Sequence, residues 1–250
     1  MYQFKPNARK DIFFRFSNDI VDSERWAMLP PASKSIYPVI GVHCNKDGLA
    51  FPGQETIAIL AGITPKTVRS GIEGLLRLPN FTVQSYYSNR GRVAKKYQLK
   101  LPDKDRSKTY FGFSKRFIDG GNWSQLKPGA HALFPVIQRC SWFDYDYYIE
   151  SKDGELEYNP SEFFSEHYGE REYDFLDAEL GFLTSRAGVG QTTVLAALEE
   201  LEKRYFIEET ENFWRRGSRA WKVFLTPPMI YKPEWLNEQA QKRYGKNSTH

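Results

Sequence analysis

The segment Thr64-Pro65-Lys66-Thr67-Val68-Arg69-Ser70 sets five side chains, Thr64, Lys66, Thr67, Arg69 and Ser70, on the outside of a helical stretch whose inner positions are Val68 and Ile72. Arg69 is suited to a bidentate contact with guanine, and the hydroxyls to phosphates or base edges. Gln54, earlier in the chain, is placed to touch phosphate. Arg90, Arg92, Lys95 and Lys96 form a basic cluster fit for the backbone or minor groove of a duplex. This chemistry is recognition of a polyanion, in which no covalent bond changes.

Residues for catalysis are sparse. His43, His131, His167 and His250 are scattered, and no His-rich metal cluster accompanies the many tyrosines, which argues against a nicking enzyme using tyrosine. Ala187-Gly188-Val189-Gly190-Gln191-Thr192-Thr193 has the outline of a phosphate loop but lacks its lysine. No enzymatic activity, cofactor or metal is expected. Cys44 and Cys140 fall at the ends of two equivalent helices and read as small buried residues of a reducing compartment.

The elements that must position the polar residues follow from apolar spacing and turn chemistry. Arg15 to Asp22 reads as extended, and Pro31-Ala32-Ser33-Lys34 opens a helix in which Pro38 makes a kink or marks the first turn. Ile57, Ala58 and Ala61 line one short helix, Gly62 permits a left-handed turn, and Ile63 plugs the gap between helices. Thr64 caps the next helix with Pro65 at its first position, and Val68, Ile72, Leu75 and Leu76 form its buried stripe. Phe81 to Tyr87 and Val93 to Leu101 then read as two strands joined at a basic tip.

The chain repeats this plan. Phe14 to Ile40 and Phe111 to Ile137 align without a gap at an offset of 97, with ten identities in 27 positions, Trp26/Trp123 and Pro38/Pro135 among them. Ala61-Gly62-Ile63 realigns with Ala187-Gly188-Val189 at an offset of 126, so the second unit carries a 29-residue insertion. Its helices run through Leu183, Val194, Leu198 and Leu201, and its hairpin runs from Tyr205 to Thr210, turns near Arg215, Arg216 and Arg219, and returns through Trp221 to Leu225. Thr184 stands where the first unit has Ala58, and Gly190 where it has Thr64. Only Gln191, Thr192 and Thr193 are left to read bases there.

The net charge of +4 conceals an asymmetry: residues 1–106 carry 17 Lys+Arg against 9 Asp+Glu, while residues 142–180 carry 2 against 13. A basic first unit suits a polyanion, and the acidic insertion, rich in Trp, Tyr and Phe, repels one. The insertion reads as an elaboration of its own domain or as a surface for a homodimer or another partner. No stretch approaches the ~20 apolar residues of a membrane span, and a cytoplasmic location is expected.

Trp26 to Leu76, with Ala32-Ser33-Lys34, Phe51-Pro52-Gly53-Gln54-Glu55-Thr56-Ile57-Ala58, Ala61-Gly62-Ile63-Thr64 and Thr67-Val68-Arg69, resembles the winged helix-turn-helix modules common in plasmid and phage replication initiators and bacterial regulators. The resemblance implies an α+β, mainly α, fold of two tandem winged-helix domains. These occupy residues 1–106 and 107–228, with the insertion at about 142–173 and a tail at 229–250. It also implies double-stranded DNA as partner, through Gln54, Thr64, Lys66, Thr67, Arg69, Ser70, Arg90, Arg92, Lys95 and Lys96, joined by Gln191, Thr192, Thr193, Arg215, Arg216 and Arg219 of the second unit. The expected activity is sequence-specific binding, most concretely by an initiator at origin repeats. The alternatives are a transcriptional regulator at a promoter operator, and an assembly protein whose winged helices bind protein. A homodimer or a replication or transcription partner is expected to meet the chain through the acidic aromatic insertion.

Overall fold

Proline at the first helical position, where its missing N–H removes no hydrogen bond, opens the longest helix of the first unit, its counterpart in the second, and the helix that carries Arg69. The computed structural model describes residues 13–87, 93–103, 106, 109–142, 173–212, 215 and 219–227. The first unit contains β1 (Phe13–Ser17), α1 (Asn18–Asp22), α2 (Arg25–Met28), α3 (Pro31–Val42), β2 (Leu49–Ala50), α4 (Gln54–Ala61), α5 (Pro65–Leu75), β3 (Phe81–Tyr87) and β4 (Val93–Leu99). The second contains β5 (Tyr110–Ser114), α6 (Arg116–Asp119), a 3-10 turn at Trp123–Gln125, α7 (Pro128–Cys140), β6 (Tyr173–Leu176), α8 (Leu180–Ala187), α9 (Gln191–Lys203), β7 (Ile207–Thr210) and β8 (Ala220–Phe224). The fold is mixed α+β, with three small antiparallel sheets among the described residues.

Several local expectations need correction. The extended reading of Arg15 to Asp22 holds only to Ser17, because α1 then turns Ile20 and Val21 into the core. Pro38 sits in the interior of α3, well past its first turn, and the helix continues to Val42. Leu76 is 53% exposed, since α5 ends at Leu75 and Leu78 takes the next buried place. The second hairpin begins at Ile207, two residues after Tyr205, whose φ of 59° breaks the extended run. Each hairpin also gains a third strand, β2 beside β4 and β6 beside β8. Cys44 and Cys140 are half-buried, and loss of solvation pushes their thiols up to about 12 and about 11.

The two units are joined by contacts that a two-fold operation would exchange. Strand β1 pairs antiparallel with β5 so that Arg15 faces its own repeat equivalent, Gly112, while Phe14 faces Phe113 and Phe16 faces Phe111. The Trp26 indole Nε1 donates to the Ala132 carbonyl at 2.7 Å, and Trp123 Nε1 donates to the Ser35 carbonyl at 2.8 Å. At an offset of 97 these are one bond made twice, in opposite directions. The turn glycines obey the same rule: a Cβ on Gly62 would lie 1.9 Å from the Ser124 oxygen, and one on Gly188 would lie 2.1 Å from the Ala27 oxygen. Both glycines hold positive φ, 66° and 63°, so each is required by its backbone and by its neighbour.

Burial follows the same seam. Phe16, Trp26, Tyr37, Phe113, Trp123 and Phe134 are all essentially inaccessible and belong to one continuous apolar core that draws on both units. Helix α3 packs on α7 across it. Two buried polar side chains on the seam are matched: Lys34 Nζ donates to the Ala27 and Ala187 carbonyls at 3.1 and 2.7 Å, tying the end of α8 to the first unit. Its repeat equivalent, His131, donates from Nε2 to the Trp123 carbonyl at 2.8 Å and accepts at Nδ1 from Ser35 Oγ at 2.7 Å. Burial pushes the Lys34 amine down to about 8 and the His131 imidazole down to about 4.

Candidate nucleic-acid interface

Helix α5 is held against α3 by the absence of side chains. Cβ atoms at Gly71 and Gly74 would lie 3.0 Å from the Ala32 carbonyl and 2.2 Å from Ser33 Oγ, and Ser33 Oγ donates to the Gly71 carbonyl at 2.8 Å. With Val68, Ile72 and Leu75 also turned inward, the opposite face presents Lys66, Arg69 and Ser70 to solvent. Glu73 shares that exposure and is the one carboxylate of the helix. Thr64 and Thr67 are committed to the helix end: Thr64 Oγ1 accepts from the Thr67 N–H at 3.2 Å, and the two hydroxyls meet at 2.8 Å. Gln54 is half-buried in the first turn of α4.

The hairpin after α5 carries no carboxylate from Phe81 to Lys100, against five Lys and Arg. Alternation along the ladder separates the two lysines that the sequence presents as neighbours. Lys95 lies opposite Ser85, donating to its hydroxyl at 2.9 Å, on the face that deeper in the sheet packs Tyr97 and Phe81 into the core. Lys96 lies opposite Gln84 on the other face. That face also holds Tyr86, whose ring meets Phe51 edge-on at 6.0 Å between centroids. This exposed aromatic pair was legible only as two separate residues in the sequence, since two strand registers, β2 on β4 and β4 on β3, bring them together. Arg90, Arg92 and Arg216 lie outside the described residues, as do positions 143–172 of the insertion.

The second unit has the same layout with different chemistry. Gln191, Thr192 and Thr193 are exposed at the start of α9. The positions equivalent to Lys66, Arg69 and Ser70 are Thr192, Leu195 and Ala196. The two described arginines of its hairpin region are engaged within the chain. Arg215 pairs with Asp177 and Glu179, each at 3.2 Å, and Arg219 makes a two-pronged pair with Glu209 at 2.6 and 2.7 Å. The ends of the insertion are anchored, since Trp142 exchanges backbone hydrogen bonds with Phe175 at 2.9 and 2.7 Å. Comparison of the chain with family models, with curated proteins and with solved structures found no match. No helix among the described residues is long and apolar enough to cross a membrane.

Proposed function

We propose that this protein is a pair of tandem winged helices that binds double-stranded DNA at a specific sequence, with the first unit as the reader. The observation that carries this reading is the outward face of α5, where Lys66, Arg69 and Ser70 stand exposed on the helix that precedes residues 81–100, a stretch whose sequence has five cations and no carboxylate. In this reading α5 enters the major groove with Arg69 on a guanine, and Lys95 and Lys96 straddle the adjacent backbone from the two faces of the wing. In the same reading the two units lie side by side on a site of about 10 to 20 base pairs. A plasmid or phage replication initiator at origin repeats is the most concrete role, and a regulator at a promoter operator uses the same chemistry.

Two substitutions test the groove assignment. Arg69→Ala should weaken the specific site by about 1 to 3 kcal/mol, roughly 5- to 150-fold, and relax the choice of base at one position. Lys95→Ala should weaken all sequences alike and reduce the slope of log affinity against log salt by about one. Electrophoretic mobility or fluorescence titration on a footprinted fragment reads both. Equal affinity of both variants and wild type would remove α5 and the wing from the interface. Protection of clustered repeats supports the initiator, and a lone site upstream of a gene supports the regulator.

A further inference from the structure

The sheet of the first unit departs from the usual division of a sheet with one solvated face. Its inner face packs Ala50, Phe81, Tyr97 and Leu99 into the core, so its outer face should be polar. That outer face instead holds Phe51 and Tyr86, 53% and 37% exposed, with their planes at 86°. An edge-on contact covers only one ring face of such a pair. Lys96 and Gln84 stand opposite each other on the same side, and one residue beyond the β2–β4 pairing Phe51 comes level with Lys96. No position of β2, β3 or β4 on that side is Asp or Glu. Lys96 has no ion-pair partner among the described residues.

The second unit shows the same lysine with its charge spent. Lys222 lies 126 positions after Lys96, and the residue across the ladder from it is Glu208, where Lys96 faces Gln84. Lys222 Nζ pairs with Glu208 at 3.7 Å and lies 5.1 Å from the centre of the buried Tyr173 ring. One sheet closes its lysine and ring on each other, and the other leaves a lysine and two rings open. Open ring faces beside an unpaired cation, with no carboxylate on the same side, are the combination that receives a base together with its phosphate. Bases inside a duplex are stacked on one another and offer no free face to rings lying on the flat of a sheet. We propose that the outer face of the first-unit sheet binds a single strand of DNA, with one base stacked on the Phe51–Tyr86 pair and Lys96 on a neighbouring phosphate. The proposal deepens the reading of duplex binding and rests on it for the source of the strand, which is one lifted from the duplex held by α5. Lys96 meets a phosphate in both states. The hold of the sheet on the strand is measured without a duplex.

Fluorescence anisotropy with a labelled, mixed-sequence DNA strand of about 12 nucleotides tests it, since sites of this kind span roughly 4 to 16 nucleotides. Phe51→Leu and Tyr86→Ala should each weaken strand binding roughly 5- to 150-fold, and Phe51→Tyr, which keeps a ring, should retain it. Lys96→Gln should reduce the slope of log affinity against log salt by about 0.7, whereas Lys222→Gln should leave strand binding as it is. All these side chains lie at the surface, and circular dichroism melts matching wild type establish that the variants fold. Affinity for the footprinted duplex should be unchanged in Phe51→Leu. Arg69→Ala tests the groove and not the sheet, so the two readings fail separately. A wild type that does not hold the strand overturns the proposal. Weakening by Lys96→Gln without weakening by Phe51→Leu is charge attraction alone and overturns the stacking site. Equal losses of strand and duplex affinity in Phe51→Leu overturn a site that is particular to the single strand. Tighter binding of an RNA of the same sequence overturns DNA as the ligand.

Discussion

Gly62→Ala is expected to destabilise the protein by about 3 to 5 kcal/mol, and Gly188→Ala by a similar amount. Two costs add. A side chain at φ 66° or 63° is strained by its own backbone, and the new methyl carbon would lie 1.9 Å from the Ser124 oxygen or 2.1 Å from the Ala27 oxygen. Those oxygens belong to the opposite unit, so relief requires the two units to move apart and to loosen the tryptophan bonds beside the seam. For a chain of this size each kcal/mol lowers the melting temperature by roughly 2 to 4 °C. Gly181→Ala is the control, because nothing lies within 4 Å of its added carbon and it sits in the first turn of α8. Its effect should be neutral or favourable by up to about 1 kcal/mol. Urea unfolding that ranks Gly62→Ala with Gly181→Ala would show that the close approach at the turn carries no weight.

The second large effect concerns acid. His131 is neutral in the fold, with Nε2–H on the Trp123 carbonyl and Nδ1 accepting from Ser35, and its pKa falls from 6.5 to about 4. Between these values the unfolded chain takes up a proton that the folded protein refuses. Stability is therefore complete above pH 6.5 and falls as the pH drops towards 4, by up to about 3 kcal/mol. His131→Gln should cost stability at neutral pH through its imperfect hydrogen bonds, yet lose much less on acidification than wild type. Urea midpoints at pH 7, 5.5 and 4 compare the slopes, and carboxylate protonation cancels because both proteins share it. Parallel slopes would mean that His131 is not the group that couples the seam to pH.

These two tests probe one feature, the contact between units. It fixes the orientation of α5 relative to α9 through backbone carbonyls and buried rings rather than through a linker. The repeat then diverges at the surface while the seam keeps its symmetry: Trp26 and Trp123 make equivalent bonds, whereas an exposed arginine, Arg69, and an exposed leucine, Leu195, stand at equivalent places. The seam holds these two chemically different faces in one fixed relation.

Much of the local structure was legible before any contact was known. Thr64 with Pro65 marks the start of α5 because a hydroxyl and a ring can serve only at that end of a helix, and Gly62 marks the turn because other residues resist positive φ. The β-rich run from Phe81 to Tyr87 likewise reads as a strand, and its bounds agree with β3. Side-chain type and near-neighbour spacing suffice for such features, since the interactions involved span only a few residues. The pairing of β1 with β5, the crossing tryptophan bonds and the seat of His131 join residues about a hundred positions apart, and no local pattern encodes them. The same holds for the second unit's arginines. In sequence Arg215 and Arg219 look like a basic wing, but folding brings Asp177, Glu179 and Glu209 to them and spends their charge inside the molecule. Composition states which charges a chain owns, and only tertiary contact decides which of them face the solvent unpaired.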